Sequence, residues 1–177
     1  MANSKWAIDT AHSSVDFTVK HMMFAKVKGS FNTFDAQIEA DPDNLTTANI
    51  RFVIETASVD TNNADRDAHL RSADFFDVEN HSQIVFQSTQ IVKTDEGEYR
   101  VTGDTTLRGV TRSETFDVTF GGTGKDPWGN LKAGFSVTGA VKRSDYGLTW
   151  NAALETGGFL VGDEIKLSLD IQAAKQE

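Results

Sequence analysis

The chain has 177 residues, no cysteine, and a formal net charge of −9 from 26 acidic and 17 basic side chains. Without cysteine it forms neither a disulfide nor a thiolate metal site, and its acidic balance opposes binding to nucleic-acid phosphates. Hydrophobic residues make up 38% and charged residues 24% of the chain, which is typical of a folded domain. We predict one domain over residues 1–177 and no nucleic-acid partner.

Alternation of apolar and polar residues with a period of two is the strongest pattern along the chain, and it indicates strands with one buried face. In chain order, the apolar positions of these runs are Val15, Phe17 and Val19; Phe34, Ala36, Ile38 and Ala40; Ile50, Phe52 and Ile54; Ile84 and Phe86; Tyr99 and Val101; Phe116, Val118 and Phe120; Phe135, Val137 and Val141; and Ile165, Leu167, Leu169 and Ile171.

Turn-forming residues separate the runs, at residues 41–44, 95–97, 108–109 and 126–130. About eight strands joined by hairpin-length connections predict an all-β fold, namely an eight-stranded up-and-down antiparallel β-barrel. An open sandwich is the competing architecture. The glycine-rich residues 121–125 lack the pattern of a P-loop, and we expect a flexible hairpin end there.

Residues 62–76 break the alternation and predict a short helical insert at one end of the barrel. Asn62 or Asn63 is suited to cap the helix, and Ser72, with Asp74 two residues later, to cap a second turn. We expect the apolar residues of the insert to pack against the strands, which makes the insert a lid or plug. These residues are Leu70, Phe75 and Phe76.

The apolar positions are rich in phenylalanine, with twelve Phe and two Tyr in the chain. Because Phe brings no hydroxyl that needs a partner, the interior is predicted to be dry and aromatic. An eight-stranded barrel is either filled by its own side chains or holds one small ligand, and the residues alone leave both alternatives open. An open interior of this kind selects apolar cargo, since each buried methylene contributes about 0.8 kcal/mol.

Charged residues cluster in the insert. They form either a solvated helix face with weak ion pairs or a polar rim for a ligand head group, because guanidinium groups bind carboxylates and phosphates well. Residues 143–148 are a second candidate rim. The cluster consists of Arg66, Asp67, His69, Arg71 and Asp74.

Signatures of catalysis and metal binding are missing from the sequence. No Gly-x-Ser-x-Gly motif occurs, and none of the four histidines forms a zinc-type pair. We predict no catalytic residue, no metal ion and no cofactor. One alternative is an enzyme for a small lipid that uses His69 with Asp67 or Asp74 as an acid–base pair. Another is a stress-linked interaction protein with a filled barrel.

Several segments together resemble the YceI-like family of bacterial lipid-binding proteins from end to end. The most specific are Arg-Asp-Ala-His-Leu-Arg-Ser-Ala-Asp-Phe-Phe at 66–76 and Arg-Ser-Asp-Tyr-Gly-Leu at 143–148. Further matching segments are residues 6–9 with 12–13, 17–22, 27–31, 103–104, 107–112 and 161–164.

This resemblance implies a lipocalin-like barrel without catalytic residues, often a homodimer, with a polyisoprenoid, isoprenoid quinone or fatty-acid derivative in its lumen. It also implies that Thr105 replaces an apolar residue and makes one patch of the lumen polar. We predict a carrier whose head-group contacts are Arg66, His69, Arg71, Asp74 and Arg143. The predicted lumen contacts are Phe17, Val19, Phe31, Phe34, Phe52, Ile54, Leu70, Phe75, Phe76, Phe86, Thr105, Leu107, Phe116, Val118, Phe135 and Val137.

The first residues lack the basic start and apolar run of a signal peptide, and no segment approaches the roughly 18 apolar residues of a membrane span. We therefore expect no membrane span and a cytoplasmic location, or a periplasmic one if a signal peptide has been removed.

Overall fold

A computed structural model describes residues 3–151 and 160–176 of the chain. These residues form eleven β-strands and one α-helix. The strands are β1 (Ser4–Ile8), β2 (Ser14–His21), β3 (Ala25–Phe31), β4 (Phe34–Ala40), β5 (Asn49–Glu55), β6 (Val59–Asp60), β7 (Gln83–Asp95), β8 (Glu98–Leu107), β9 (Val110–Lys125), β10 (Leu131–Lys142) and β11 (Val161–Lys175), and the helix is α1 (Ala64–Arg71). No helix in the described ranges is long and apolar enough to cross a membrane.

The strands close into an antiparallel barrel. The order β1-β4-β5-β7-β8-β9-β10-β11 returns to β1, which pairs with both β4 and β11. Because the ladder closes on itself, the predicted eight-stranded barrel is confirmed and the open sandwich is wrong. Short β6 follows β5 along the chain and extends the sheet by pairing with β3.

The first two long strands of the barrel each consist of two segments, β1 with β2 and β3 with β4. A 3₁₀ turn at Thr10–His12 separates β1 from β2, and Asp9 caps it by accepting hydrogen bonds from the Ala11 amide at 3.1 Å and from the His12 ring at 2.9 Å. The bend lets β1 pair with β4 at one end of the barrel while β2 pairs with β3 at the other. The hairpin β2–β3 therefore reaches the end that carries α1.

The opposite end is plugged by a buried cluster around Trp6, and we call it the closed end. The Trp6 indole donates to the Ala40 carbonyl at 3.2 Å and packs in one cluster with Leu45, Ile91 and Tyr99. Removal of these apolar groups from water stabilises the closure, by about 1.5–3 kcal/mol for a large aliphatic side chain.

The insert contains one helix followed by a turn. Asn63 caps α1 by accepting from the Arg66 amide at 3.0 Å. Ser72 caps the following turn as predicted, because its hydroxyl accepts from the Asp74 amide at 3.3 Å while its carbonyl accepts from the Phe75 amide at 3.0 Å. The apolar residues of the insert do pack against the strands. Residues 121–125 form the end of β9 next to the turn into β10, so they lie at a hairpin end as expected.

Arg143 ties together the chain on both sides of residues 152–159. Its buried guanidinium donates to the carbonyls of Leu148 at 2.7 Å, Gly162 at 2.8 Å, Trp150 at 2.9 Å and Val161 at 3.2 Å. Burial lowers the pKa of Arg143 from its ordinary value. Four carbonyl acceptors compensate the desolvated charge, so the side chain acts as an internal scaffold.

Replacement of Arg143 by Met is expected to lower the free energy of unfolding by about 3 kcal/mol or more, because buried carbonyls lose their donors. Arg112→Met is the matched control, since exposed Arg112 makes one bond of 3.2 Å to the Asp145 carbonyl; its cost is expected to stay below about 1 kcal/mol. Urea unfolding followed by tryptophan fluorescence measures both. Equal small losses would contradict the scaffold role.

Candidate functional site

A cavity of about 690 Å³ occupies the barrel interior. Sites for small molecules typically have volumes of about 300–1,000 Å³ and mostly apolar walls. The side chains of this barrel therefore leave room for a guest, and a completely filled interior is not what the structure shows.

Three phenylalanine rings shape the cavity wall by packing against glycines. An added Cβ at each glycine would lie 2.4 Å from the nearest ring atom, so each ring occupies the space that a side chain would fill. A glycine in a strand often marks such a close approach. The pairs are Phe17 with Gly29, Phe86 with Gly103, and Phe116 with Gly139.

The cavity wall contains the predicted lumen residues with one exception, Phe34. The ring of Phe34 stacks on Phe52 at a centroid distance of 5.9 Å, and Phe52 faces the cavity in its place. Contact of the wall residues with a ligand stays a prediction. Further wall residues share the same alternation but were not among the predicted lumen contacts, namely Val15, Ile38, Ala40, Ile50, Ile84, Tyr99, Val101, Val141, Ile165, Leu167, Leu169 and Ile171.

Polar wall residues concentrate at the end with α1. Lys20 and Asp65 are exposed and also line the cavity, so the cavity reaches the surface between β2 and α1. We call this opening the mouth, and it is bordered by Lys20, His21, Asn63, Asp65 and Arg66.

Arg66 reaches the cavity wall while it is anchored to Thr61. Its Nε donates to the Thr61 hydroxyl and its Nη2 to the Thr61 carbonyl, both at 2.8 Å. Thr61 in turn donates from its amide at 2.9 Å and its hydroxyl at 2.5 Å to Asp67. Asp67 is thus buried and engaged with Thr61, and it forms no pair with His69.

The other charged residues of the insert divide between the wall and the outside. His69 lines the cavity, with its Nε2 2.9 Å from an Asp74 carboxylate oxygen. Arg71 and Asp74 are not part of the wall. Arg71 holds the chain before the insert, since it donates to the carbonyls of Ala57 at 3.0 Å and Val59 at 3.2 Å. The charged cluster predicted from the sequence therefore does not converge on the lumen as a unit.

A polar group interrupts the apolar wall. The buried Tyr146 hydroxyl donates to the Glu114 carboxylate at 2.5 Å. Burial, strengthened by the hydrogen bond and charge of Glu114, raises the pKa of Tyr146 far above its ordinary value, so the phenol stays protonated. Thr105 lies beside Tyr146, where its hydroxyl weakly opposes the rise of the Tyr146 pKa, but this buried hydroxyl makes no well-formed hydrogen bond among the described residues.

Candidate metal ligands do not cluster. Within residues 3–151 and 160–176, no group of three or more histidine, aspartate or glutamate side chains is arranged to hold an ion. Arg143, the remaining predicted head-group residue, touches the cavity, but its donors point to backbone carbonyls. The geometry thus supports burial of an apolar guest below a polar mouth.

Known sequences show the relationship of the chain. Residues 6–173 match the family model described as the YceI-like domain. A UPF0312 protein of Staphylococcus epidermidis is 42% identical over 164 residues, which cover 92% of this chain and 93% of the relative. A UPF0312 protein of Staphylococcus aureus is 39% identical over 175 residues, which cover 98% and 99%.

Solved structures agree with this relationship. The Campylobacter jejuni YceI protein is 32% identical with a TM-score of 0.77, covering 89% of this chain and 90% of its own. Burkholderia cenocepacia BcnA is 25% identical with a TM-score of 0.82, covering 93% and 98%. A polyisoprenoid binding domain from Saccharophagus degradans shares the fold at 14% identity with a TM-score of 0.71, covering 98% and 99%. The chain therefore belongs to the YceI-like domain family.

Proposed function

We propose that this protein binds one long-chain apolar molecule inside the barrel and carries it, the ligand being a polyisoprenoid, an isoprenoid quinone or a fatty-acid derivative. The observation that carries the proposal is the cavity of about 690 Å³, with its apolar wall and its polar groups gathered at the mouth. The Saccharophagus degradans neighbour, which is described as polyisoprenoid binding, supports this class of ligand.

The energetics favour a long chain over a small lipid. Each methylene buried contributes about 0.8 kcal/mol, association costs at least roughly 4 kcal/mol, and micromolar affinity needs about 8 kcal/mol net. A ligand held mainly by apolar contacts therefore buries on the order of fifteen methylenes to reach micromolar affinity. A short-chain lipid does not reach that threshold without strong polar contacts.

The arrangement of polar groups suggests how the ligand is oriented. Its apolar chain runs toward the closed end, and its head group stays at the mouth near Arg66 and His69, which both line the cavity. Arg143 supports the wall through backbone carbonyls and takes no part in this proposed contact. Arg71 and Asp74, which lie outside the wall, are left out of it.

Two predictions from the resemblance and the N-terminal sequence accompany the proposal. We expect a homodimer, which sedimentation velocity measures directly. We also expect a cytoplasmic location, with the periplasm as the alternative, and cell fractionation distinguishes the two.

An enzyme acting on a small lipid is the second candidate, and the His69–Asp74 pair is the observation that favours it. Its separation of 2.9 Å at the cavity wall suits acid–base chemistry. This alternative predicts turnover that His69→Ala abolishes while ligand binding survives. The binding proposal predicts no turnover in either protein.

Purified protein is expected to retain an apolar ligand, or to take up a prenyl or acyl chain of sufficient length. Native mass spectrometry and organic extraction identify a retained ligand. Added ligand is expected to raise the unfolding temperature, since a ligand at 100 times its Kd stabilises the folded state by about 2.7 kcal/mol. Purified protein that contains no ligand and does not bind labelled prenyl or acyl chains would contradict the proposal.

Substitution of Gly139 by alanine is expected to push the Phe116 ring into the lumen, because the new Cβ would lie 2.4 Å from Cδ1 of that ring. Displacing about two ligand methylenes would weaken binding about tenfold. Gly134→Ala on the same strand is the matched control, because nothing lies within 4 Å of its Cβ position. Titration with a fluorescent prenyl probe compares them, and equal affinities would argue against an occupied lumen at Phe116.

Substitution of Thr105 by valine is expected to raise the free energy of unfolding by about 1 kcal/mol, because the near-isosteric side chain removes a buried hydroxyl that lies beside Tyr146 without making a well-formed hydrogen bond. The control is Thr102→Val, at an exposed hydroxyl that pairs with Thr115 at 2.9 Å, and we expect a change within about 0.5 kcal/mol. Urea denaturation measures the free energy of unfolding of both variants and of the unchanged protein. Destabilisation by Thr105→Val would show that the hydroxyl makes a favourable contact.

A further inference from the structure

The turn between β2 and β3 exposes three consecutive apolar side chains, Met22, Met23 and Phe24. Their exposed fractions are 41%, 56% and 85%, and Phe24 is the most exposed large apolar residue among those described. Turns of this kind normally carry Gly, Asn, Asp or Ser. We call residues 22–24 the tip.

The backbone of the tip disfavours the residues it carries. Met22 has a φ of 54° and Met23 a φ of 69°, in the left-handed region that suits glycine and asparagine. The Met22 amide donates to the Leu160 carbonyl at 2.7 Å, which fixes the tip against the chain beside the cavity. Formation of the turn therefore does not explain why the side chains are large and apolar.

Three lysines lie on the two strands that the tip connects. Lys20 and Lys26 stand directly opposite each other, and Lys28 is opposite Thr18. Like charges in directly opposed positions destabilise a strand pair. None of the three lysines takes part in an ion pair in the part of the chain that the structure describes.

The tip and the lysines adjoin the mouth. Lys20, His21 and Val27 belong to the same hairpin and line the cavity. The other strongly exposed aromatic residue in the described ranges, Trp128, lies at the closed end in the turn between β9 and β10 and has an exposed fraction of 82%. The two ends of the barrel therefore provide an internal comparison, in which one exposed aromatic group adjoins the mouth and the other does not.

We propose that the tip docks the protein on an anionic membrane surface, with Met23 and Phe24 inserted among the lipids and the lysines against the head groups. Apolar side chains flanked by lysines bind interfaces through buried apolar area and attraction to anionic lipids. Charge complementarity selects this partner, because these lysines stand out from a chain of net charge −9. Docking would turn the mouth toward the bilayer, where long apolar molecules reside.

The docking step extends the proposed function and is measured without a cargo. Protein is sedimented with vesicles of phosphatidylcholine alone and with vesicles that also contain phosphatidylglycerol. We expect binding to the anionic vesicles only. Binding is expected to decrease when salt is raised from about 0.1 M to about 1 M, because the screening length falls from about 10 Å to about 3 Å.

Variants assign the binding to the hairpin. Met23→Ser combined with Phe24→Ser is expected to reduce affinity for anionic vesicles at least tenfold, and Lys26→Gln combined with Lys28→Gln by about twenty-five-fold, at about fivefold for each lysine. Trp128→Ser at the closed end is the control and is expected to bind as the unchanged protein does. Circular dichroism verifies that each variant is folded.

Three results would overturn the proposal. The first is equal binding of the protein to both kinds of vesicle. The second is equal vesicle binding by the tip variant and the unchanged protein. The third is a tip variant that binds vesicles normally and differs only in its sedimentation coefficient without vesicles. The last result would make the tip an interface between copies. A fluorescent prenyl probe tests the cargo separately, so failure of probe binding with intact vesicle binding would count against the proposed function alone.

Discussion

Closure of the β-ladder is the constraint on which the rest of this structure depends. β1 pairs with β4 on one side and β11 on the other, so the ring of strands has no free edge at that point. Eight strands make a barrel just wide enough for side chains to fill or for one small ligand to enter. Whether room remains is then decided by the inward side chains, and here phenylalanine rings that lie over glycines leave about 690 Å³.

The two ends of the barrel are built differently, and this difference gives the cavity a direction. At the closed end, Trp6 and its neighbours form a dry cluster. At the other end, polar side chains mostly secure backbone: Arg66 holds Thr61, Arg71 holds Ala57 and Val59, and Arg143 holds four carbonyls. The opening is thus framed by rigid hydrogen-bonded chain, which allows an entrance without exposing the apolar cluster at the closed end.

Alternation predicted the barrel because burial on one face forces a period of two. It was weaker for β3, where outward Lys26 and Lys28 surround Val27 and Gly29 leaves its inward position without a side chain. Arg71, a predicted head-group residue, lies outside the cavity wall for another reason. The sequence shows that a guanidinium is present, but the carbonyls that it binds are brought near only by the fold. Phe34 lies on the expected face, yet its neighbour Phe52 occupies the wall.

Recognition of a guest by such a wall rests on length and shape more than on hydrogen bonds. Tyr146 and Glu114 satisfy each other, so the deep polar group offers little to a ligand. The Thr105 hydroxyl is buried beside Tyr146 and makes no well-formed hydrogen bond, so it also adds little directional recognition. Since apolar contact is non-directional, discrimination between apolar chains depends on how far each fills the cavity. Under the proposed docking, the surface that the mouth faces would determine which apolar chains reach the cavity.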